Sequence, residues 1–204
     1  MSRVALADGG WVDFQPGVFE DHAARMDALL EELPLRVEEV VVFGKRHPTP
    51  RRTSWHGDAG CAYRYSGRLF EPAPWTPALR AIRERLRALT GVEFNSALAN
   101  HYRDGGDAMG AHSDDEPELG PTRDDIRIAS VSLGAPRRFV LQHRRTKDTR
   151  EWSLGEGSVL VMGGALQHHW VHRVPRTRKP VGPRLNLTFR VVRPSPTVPS
   201  CSES

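Results

Sequence analysis

His112 and Asp114 stand one residue apart in the run Asn100-His-Tyr-Arg-Asp-Gly-Gly-Asp-Ala-Met-Gly-Ala-His-Ser-Asp-Asp-Glu116. In an extended segment, residues i and i+2 leave the backbone on one face, so an imidazole and a carboxylate at this spacing can reach one ion. A further histidine completes a 2-His-1-carboxylate facial triad, which leaves cis positions open and suits non-haem Fe(II) working with molecular oxygen. On its own the pair is a common surface-loop pattern. The third ligand has to come from the run Gln167-His-His-Trp-Val-His172, where His168, His169 and His172 all qualify and spacing does not choose among them. The plain alternative for that run is a histidine-rich edge strand.

A second constellation lies in Arg184-Leu-Asn-Leu-Thr-Phe-Arg190. Period-two alternation puts Arg184, Asn186, Thr188 and Arg190 on one face of a strand and Leu185, Leu187 and Phe189 on the other. A strand with one wet face gives the same alternation. This polar face, however, holds two arginines and two short hydrogen-bonding residues with no Glu or Lys, an inventory that suits a dicarboxylate gripped by bidentate guanidinium groups. Asn100 and Tyr102 alternate in the same way just before His112 and add an amide and a phenol to the same pocket. A water-activating zinc site has no use for such an arginine strand.

Elements must bring these residues together. The stripe Phe19, Ala23, Met26, Leu30 and Leu33 predicts an amphipathic helix over 17–33, ended by Pro34. The β-branched run 37–43 predicts a strand, 45–56 a basic, proline-containing loop, and 62–66 an extended segment. Thr76 as N-cap, Pro77 at the first helical position, the stripe Leu79, Ile82, Leu86 and Leu89, and Gly91 as the stop define a second helix. Strands are expected at 96–102, 126–133, 138–143, 150–153, 158–162, 168–173 and 184–192. Two helices followed by many short strands predict an α+β chain built on a double-stranded β-helix, or jelly roll, with the N-terminal helices packed on one sheet. The expected division, within one structural domain, is a helical segment 1–36, a recognition region 37–95, a jelly-roll core 96–193 and a disordered tail 194–204.

Composition sets the bounds. The chain has 204 residues, of which 38% are hydrophobic and 26% charged, the range of one globular domain with a well-buried core. Two distant cysteines, Cys61 and Cys201, make neither a disulfide framework nor a zinc cluster and fit a reducing compartment. No apolar run resembles a signal peptide or a membrane span, so a cytoplasmic or nucleoid-associated monomer is expected, nuclear in a eukaryote. The net charge is +4. Basic residues concentrate in three places: 45–52, then Arg144, Arg145, Lys147 and Arg150, then Arg173, Arg176, Arg178 and Lys179. Such patches suit phosphate contacts.

With these motifs in place, the chain resembles the AlkB family of Fe(II)/2-oxoglutarate-dependent nucleic-acid dealkylases. It is most similar to the branch that repairs double-stranded DNA with a base-displacing finger. The matching segments run in order from Val42-Phe-Gly-Lys45 through Gly57-Asp-Ala-Gly60, Tyr63-Arg-Tyr-Ser-Gly67, Asn100-His-Tyr-Arg-Asp-Gly105 and His112-Ser-Asp-Asp-Glu116. They continue through Ile128-Ala-Ser-Val-Ser-Leu-Gly134 and His169-Trp-Val-His172 to Pro183-Arg-Leu-Asn-Leu-Thr-Phe-Arg190.

The resemblance implies that His112, Asp114 and His172 hold Fe(II). It places Arg184 with Tyr102 on the distal carboxylate of 2-oxoglutarate, and Arg190 with Asn100 and Thr188 on the end that chelates iron, with Asn186 on the same face. Phe43, flanked by Val42 and Gly44, is the implied finger. Tyr63, Arg64 and Tyr65 border the flipped base with Asp115 and Glu116, and Arg51 joins the substrate residues. The implied reaction is oxidative demethylation of 1-methyladenine and 3-methylcytosine in alkylated double-stranded DNA, consuming molecular oxygen and releasing formaldehyde and succinate. The alternative substrate is methylated single-stranded DNA or RNA, and a further alternative is a nucleic-acid-binding module without catalysis. Three positions depart from the family pattern: Ser113 replaces a larger polar or basic residue, Tyr65 a Phe, and Arg46 an aromatic residue.

Overall fold

The strand with the alternating arginines is the structural spine. In the computed structural model, which describes residues 2–42, 45–65, 68–120 and 126–193 (side chains at 40–45 and 63–70 aside), Arg184–Arg190 forms β15. On one side β15 pairs antiparallel with β8 (Ser96–Tyr102), setting Arg184 opposite Tyr102 and Asn186 opposite Asn100. On its other side it pairs with β10 (Ile128–Gly134), setting Asn186 opposite Ser132 and Thr188 opposite Ser130. The polar face of one strand thereby meets polar residues of both neighbours. β1 (Ser2–Ala5), β2 (Gly10–Gln15), β5 (Arg52–Gly57) and β13 (Ser158–Gly164) complete a seven-stranded sheet in the order β1-β2-β13-β10-β15-β8-β5.

A four-stranded sheet, ordered β12-β11-β14-β9, is built from β9 (Met109–His112), β11 (Arg137–His143), β12 (Thr149–Leu154) and β14 (Trp170–Val174). Two hairpins belong to neither sheet: β3 (Glu39–Val42) with β4 (Lys45–Pro48), and β6 (Tyr63–Tyr65) with β7 (Arg68–Phe70). This mainly β architecture with few helices is consistent with a jelly roll.

Period-two alternation sorts β15 between an apolar core and the polar face that lines the site. Leu185, Leu187 and Phe189 pack in one core with Met26 and Leu29 of α1 (His22–Glu32), Leu33 just after it, and Leu79, Ile82 and Leu86 of α2 (Pro77–Thr90). Each fully buried side chain of this kind contributes about 1.5–3 kcal/mol through removal from water. Tyr102, Ile128, Phe139, Leu141, Leu160 and Trp170 form the second core. The second helix has the expected ends: Thr76 Oγ1 accepts from the Leu79 amide at 3.3 Å, and Gly91 closes it at φ 70°. No helix among the described residues is long and apolar enough to cross a membrane.

Several elements depart from the sequence expectations. The first helix starts at His22 and buries Met26 and Leu29, while Ala23 is exposed and Leu30 half-buried, so its apolar stripe is rotated from the expected one. Phe19 is buried ahead of the helix. The expected loop 45–56 contains two strands, because Thr53 and Trp55 of β5 turn inward beside β8 and the ladder takes up the backbone groups. The expected strand 168–173 begins with a helical turn, α3 (Leu166–His169), before β14. The N-terminal pair β1 and β2 carried no clear alternation and was not foreseen.

Asp8, His143 and His169 form a cluster with metal-ligand spacing, yet hydrogen bonding occupies it. The Thr146 amide donates to His143 Nδ1 at 3.0 Å, so the ring proton sits on Nε2, which donates to Asp8 Oδ2 at 2.8 Å. The cluster ties the N-terminal segment to the β11 hairpin.

Candidate metal and cosubstrate site

β9 and β14 lie side by side with His112 directly opposite His172, and their ring centroids are 4.2 Å apart. Asp114, two residues beyond His112, turns back toward both. His112 Nε2 lies 3.8 Å from Asp114 Oδ1 and His172 Nε2 3.6 Å from Asp114 Oδ2, and one ligand atom from each residue falls within 4.8 Å of the others. Spacing left three histidines open. Of these, His172 converges with His112 and Asp114, while His169 belongs to the Asp8 cluster.

Surrounding groups orient His112 and set the charge states of His172 and Asp114. His112 Nδ1 lies 2.9 Å from the Gly110 carbonyl, which only accepts, so this nitrogen carries a proton and Nε2 is the ring atom available to an ion. Burial pushes His172 down to about 3, with His112 and Arg190 acting in the same direction and Asp114 opposing, so its ring is neutral. Burial alone would raise Asp114, but Arg190, His172 and His112 together outweigh it and hold the carboxyl at about 2. Arg190 Nη2 donates to Asp114 Oδ1 at 2.7 Å, and the Asp114 amide donates to Gln167 Oε1 at 3.0 Å.

Two cavities meet at the triad. One, of about 450 Å³ including open solvent, is lined by Asn100, Tyr102, Phe139, His172, Asn186, Thr188 and Arg190. The other, of about 630 Å³ including open solvent, is lined by Glu38, Arg51, Thr53, Trp55 and Glu116. Leu98, Met109, His112, Asp114 and Arg190 border both.

The smaller cavity is bordered by two cations, Arg173 and Arg190, and a third, Arg184, is hydrogen-bonded to its lining residue Asn186. Arg184 is fully buried and donates to the Leu154 carbonyl at 3.1 Å, Ser132 Oγ at 2.7 Å and Asn186 Oδ1 at 3.2 Å, all neutral oxygens. Asn186 in turn donates to Ser130 Oγ at 3.0 Å, so it orients the guanidinium. Burial brings Arg184 down to about 10, with Tyr102 opposing and Arg137 adding to the fall, which leaves it charged at neutral pH. Arg51 Nε donates to Asn100 Oδ1 at 2.8 Å. A guanidinium can only donate, so the Asn100 amide oxygen is fixed on Arg51 and its NH₂ group is turned away.

The remaining sequence candidates are distributed unevenly. Arg51 borders the larger cavity but is buried against Asn100. Glu116 lines that cavity, whereas Asp115 is half-buried with Arg144 Nη2 at 4.0 Å, and the same Arg144 nitrogen donates to Ser113 Oγ at 2.6 Å. Tyr63, Arg64 and Tyr65 lie on β6 and Val42 on β3, with side chains outside the described set, and Phe43 and Gly44 are outside the described residues altogether. Arg144, Arg145, Lys147 and Arg150 are exposed around the β11–β12 hairpin. Sequence reading missed Arg137, Gln167, Glu38 and Trp55. Only Arg137 carried a signal, a charge at a position where strand alternation with Phe139 and Leu141 calls for burial.

Comparison with known proteins matches residues 16–190 to the 2OG-Fe(II) oxygenase superfamily. DNA oxidative demethylase ALKBH2 from Mus musculus is 41% identical over 187 residues, covering 84% of this chain and 77% of that protein. Its counterpart from Homo sapiens is 42% identical over 187 residues, covering 83% and 69%. The chain belongs to the AlkB family. Alpha-ketoglutarate-dependent dioxygenase alkB homolog 3 from Mus musculus is 36% identical over 206 residues, covering 96% of this chain and 68% of that protein. Among solved structures, that of OsALKBH1 superposes with a TM-score of 0.58 at 20% identity, covering 93% of this chain and 100% of that one, which speaks to the fold alone.

As an AlkB-family dioxygenase the protein works with Fe(II), 2-oxoglutarate and molecular oxygen. The residues present fit those groups. The triad offers two imidazole nitrogens and one carboxylate. Arg184 Nη1 is buried with no hydrogen-bond partner among the described residues, beside Asn186 and the Tyr102 ring that line the smaller cavity, and a carboxylate would satisfy it.

Proposed function

We propose that this AlkB-family dioxygenase removes methyl groups from the ring nitrogens of alkylated bases in DNA, with 1-methyladenine and 3-methylcytosine as substrates and formaldehyde and succinate as products. The observation that carries this reading is the metal triad at the junction of two cavities, one cationic and suited to a dicarboxylate, the other open and bordered by carboxylates. Relatives named as DNA oxidative demethylases support the choice of DNA.

In this reading His112, Asp114 and His172 hold the iron. Arg184 and Tyr102 receive the distal carboxylate of 2-oxoglutarate, with Asn186 orienting Arg184. Arg190, Asn100 and Thr188 orient the other end. When bound, iron, cosubstrate and oxygen supply oxidation of the N-methyl carbon, after which the hydroxymethyl group leaves as formaldehyde.

The chain's own residues do the rest. The double-stranded β-helix, with its helices on one sheet, is the scaffold, and 37–95 is the recognition region. A base inside a duplex must leave the stack to reach the metal, and Phe43, between Val42 and Gly44, fills the gap it leaves. Tyr63 and Tyr65, with Arg64 beside them, border the extruded base. Methylation at adenine N1 or cytosine N3 makes the base cationic, and Glu116 with Asp115 favours that charge over the neutral parent. The protein acts as a monomer.

The test is formation of succinate and formaldehyde on a 1-methyladenine oligonucleotide, with both products lost in His112→Ala and in Arg184→Ala. Full activity in either variant refutes the assignment. Phe43→Ala is expected to impair repair of duplex while sparing single strands. Equal activity of that variant on both would instead favour single-stranded DNA or RNA as substrate.

A further inference from the structure

Arg137 opens β11 with 3% of its surface exposed, and its guanidinium donates to three backbone carbonyls. Nη1 reaches Asp104 O at 2.8 Å, and Nη2 reaches Asp107 O at 2.8 Å and Pro175 O at 2.9 Å. Asp104 and Asp107 lie in the turn leaving β8, which carries Asn100 and Tyr102 in the seven-stranded sheet. Pro175 directly follows β14, which carries His172 in the four-stranded sheet. One side chain therefore joins the exits of two strands from opposite walls of the site. A backbone contact reinforces the junction. The Thr177 amide donates to Gly105 O at 2.9 Å, and a Cβ on Gly105 would come within 2.5 Å of the Thr177 carbonyl.

The same guanidinium also lies beside Tyr102, which lines the smaller cavity. Arg137 Cζ lies 5.7 Å from the Tyr102 ring centroid and Arg184 Cζ lies 5.2 Å from it. All hydrogen-bond partners of both guanidiniums among the described residues are neutral oxygens. Two buried cations flank one phenol, and although the carboxylates of Asp104 and Asp107 act favourably on Arg137, neither guanidinium is hydrogen-bonded to one, so an incoming carboxylate relieves part of the electrostatic cost.

We propose that Arg137 is a positioning residue for the cosubstrate: it clasps the exit of β8 to the exit of β14 and places a second positive charge beside Tyr102, and so sets how tightly the distal carboxylate of 2-oxoglutarate is held. The inference rests on the reading that this cavity takes 2-oxoglutarate. The two histidines of the metal triad are brought together by direct pairing of β9 with β14 inside the four-stranded sheet, not by the clasp.

Binding can be read without turnover, by calorimetry on the full chain loaded with Mn(II) under anaerobic conditions. The two probes are 2-oxoglutarate and 2-oxopentanoate, which has the same five carbons but no distal carboxylate. Arg137→Met is expected to weaken 2-oxoglutarate about tenfold and 2-oxopentanoate by less than about twofold, with Mn(II) affinity unchanged. Arg137→Lys keeps the charge but cannot fork to three carbonyls, and an intermediate loss of about threefold is expected. Equal weakening of both oxoacids, or a lowered melting temperature with both affinities intact, overturns the proposal. If Arg137→Met does not fold by circular dichroism, the ratio of the two affinities in Arg137→Lys decides, and an unchanged ratio overturns it. A wild-type chain that does not prefer 2-oxoglutarate to 2-oxopentanoate refutes the cosubstrate reading itself.

Discussion

Arg190 and Asp114 form a buried ion pair at 2.7 Å, with side chains 4% and 3% exposed, so each charge has lost its water and relies on the other. Removing one partner strands the other, a change that costs about 3–5 kcal/mol in comparable pairs. Arg190→Met should therefore destabilise the metal-free chain by that order, while Arg190→Met combined with Asp114→Asn should cost less than the single change. Urea unfolding in the presence of chelator measures both, and simple additivity would refute the coupling. The sequence exposed both residues as site candidates through their motifs. It could not show that they touch, because 76 residues separate them in the chain. Arg51 marks the same boundary. It sits in a basic run that reads as a solvated loop, yet it is 5% exposed and fixes an amide in the neighbouring strand.

At the scale of elements, what was legible followed from local chemistry. The β15 alternation fixed both of its faces, and Thr76, Pro77 and Gly91 bounded the second helix, because caps and periodicity act within a few residues. β4 and β5 were not legible, since their prolines and arginines argue for a loop and only pairing with β3 and β8 makes them strands. β5 also carries a pH-sensitive group. His56 is 1% exposed, with Nδ1 donating to the Pro74 carbonyl at 2.8 Å, and burial lowers its pKa against the opposing pull of that bond. His101 on β8 shifts the same way, chiefly through burial and then through Arg52. A folded pKa below the unfolded value of about 6.5 means that the stabilisation is complete above that pH and is lost as pH falls through it toward the folded value. The melting temperature should thus drop between about pH 7.5 and about pH 5.5, and the drop should be shallower in His56→Asn. Equal slopes in thermal melts of the two proteins would exclude His56 as a source.

For the molecule as a whole, a net charge of +4 understates the electrostatics, because Arg144, Arg145, Lys147, Arg150, Arg176, Arg178 and Lys179 are all exposed. If six such charges meet phosphates, the logarithm of the DNA affinity should fall against the logarithm of salt concentration with a slope of roughly −5. Fluorescence anisotropy of a labelled duplex over a salt series gives that slope, and a value near zero would remove the phosphate-binding role of these loops. The arrangement of the walls has a further consequence. The seven-stranded sheet carries Asn100, Tyr102, Arg184 and Arg190, the four-stranded sheet carries both histidines of the triad, and the β3–β4 and β6–β7 hairpins belong to neither. Those free-standing hairpins carry Val42 and Tyr63 to Tyr65, four of the residues assigned to the base. An engineer could exchange either hairpin for one of different shape and redirect the oxidising centre to another modified base, without re-registering a single strand that supports the centre itself.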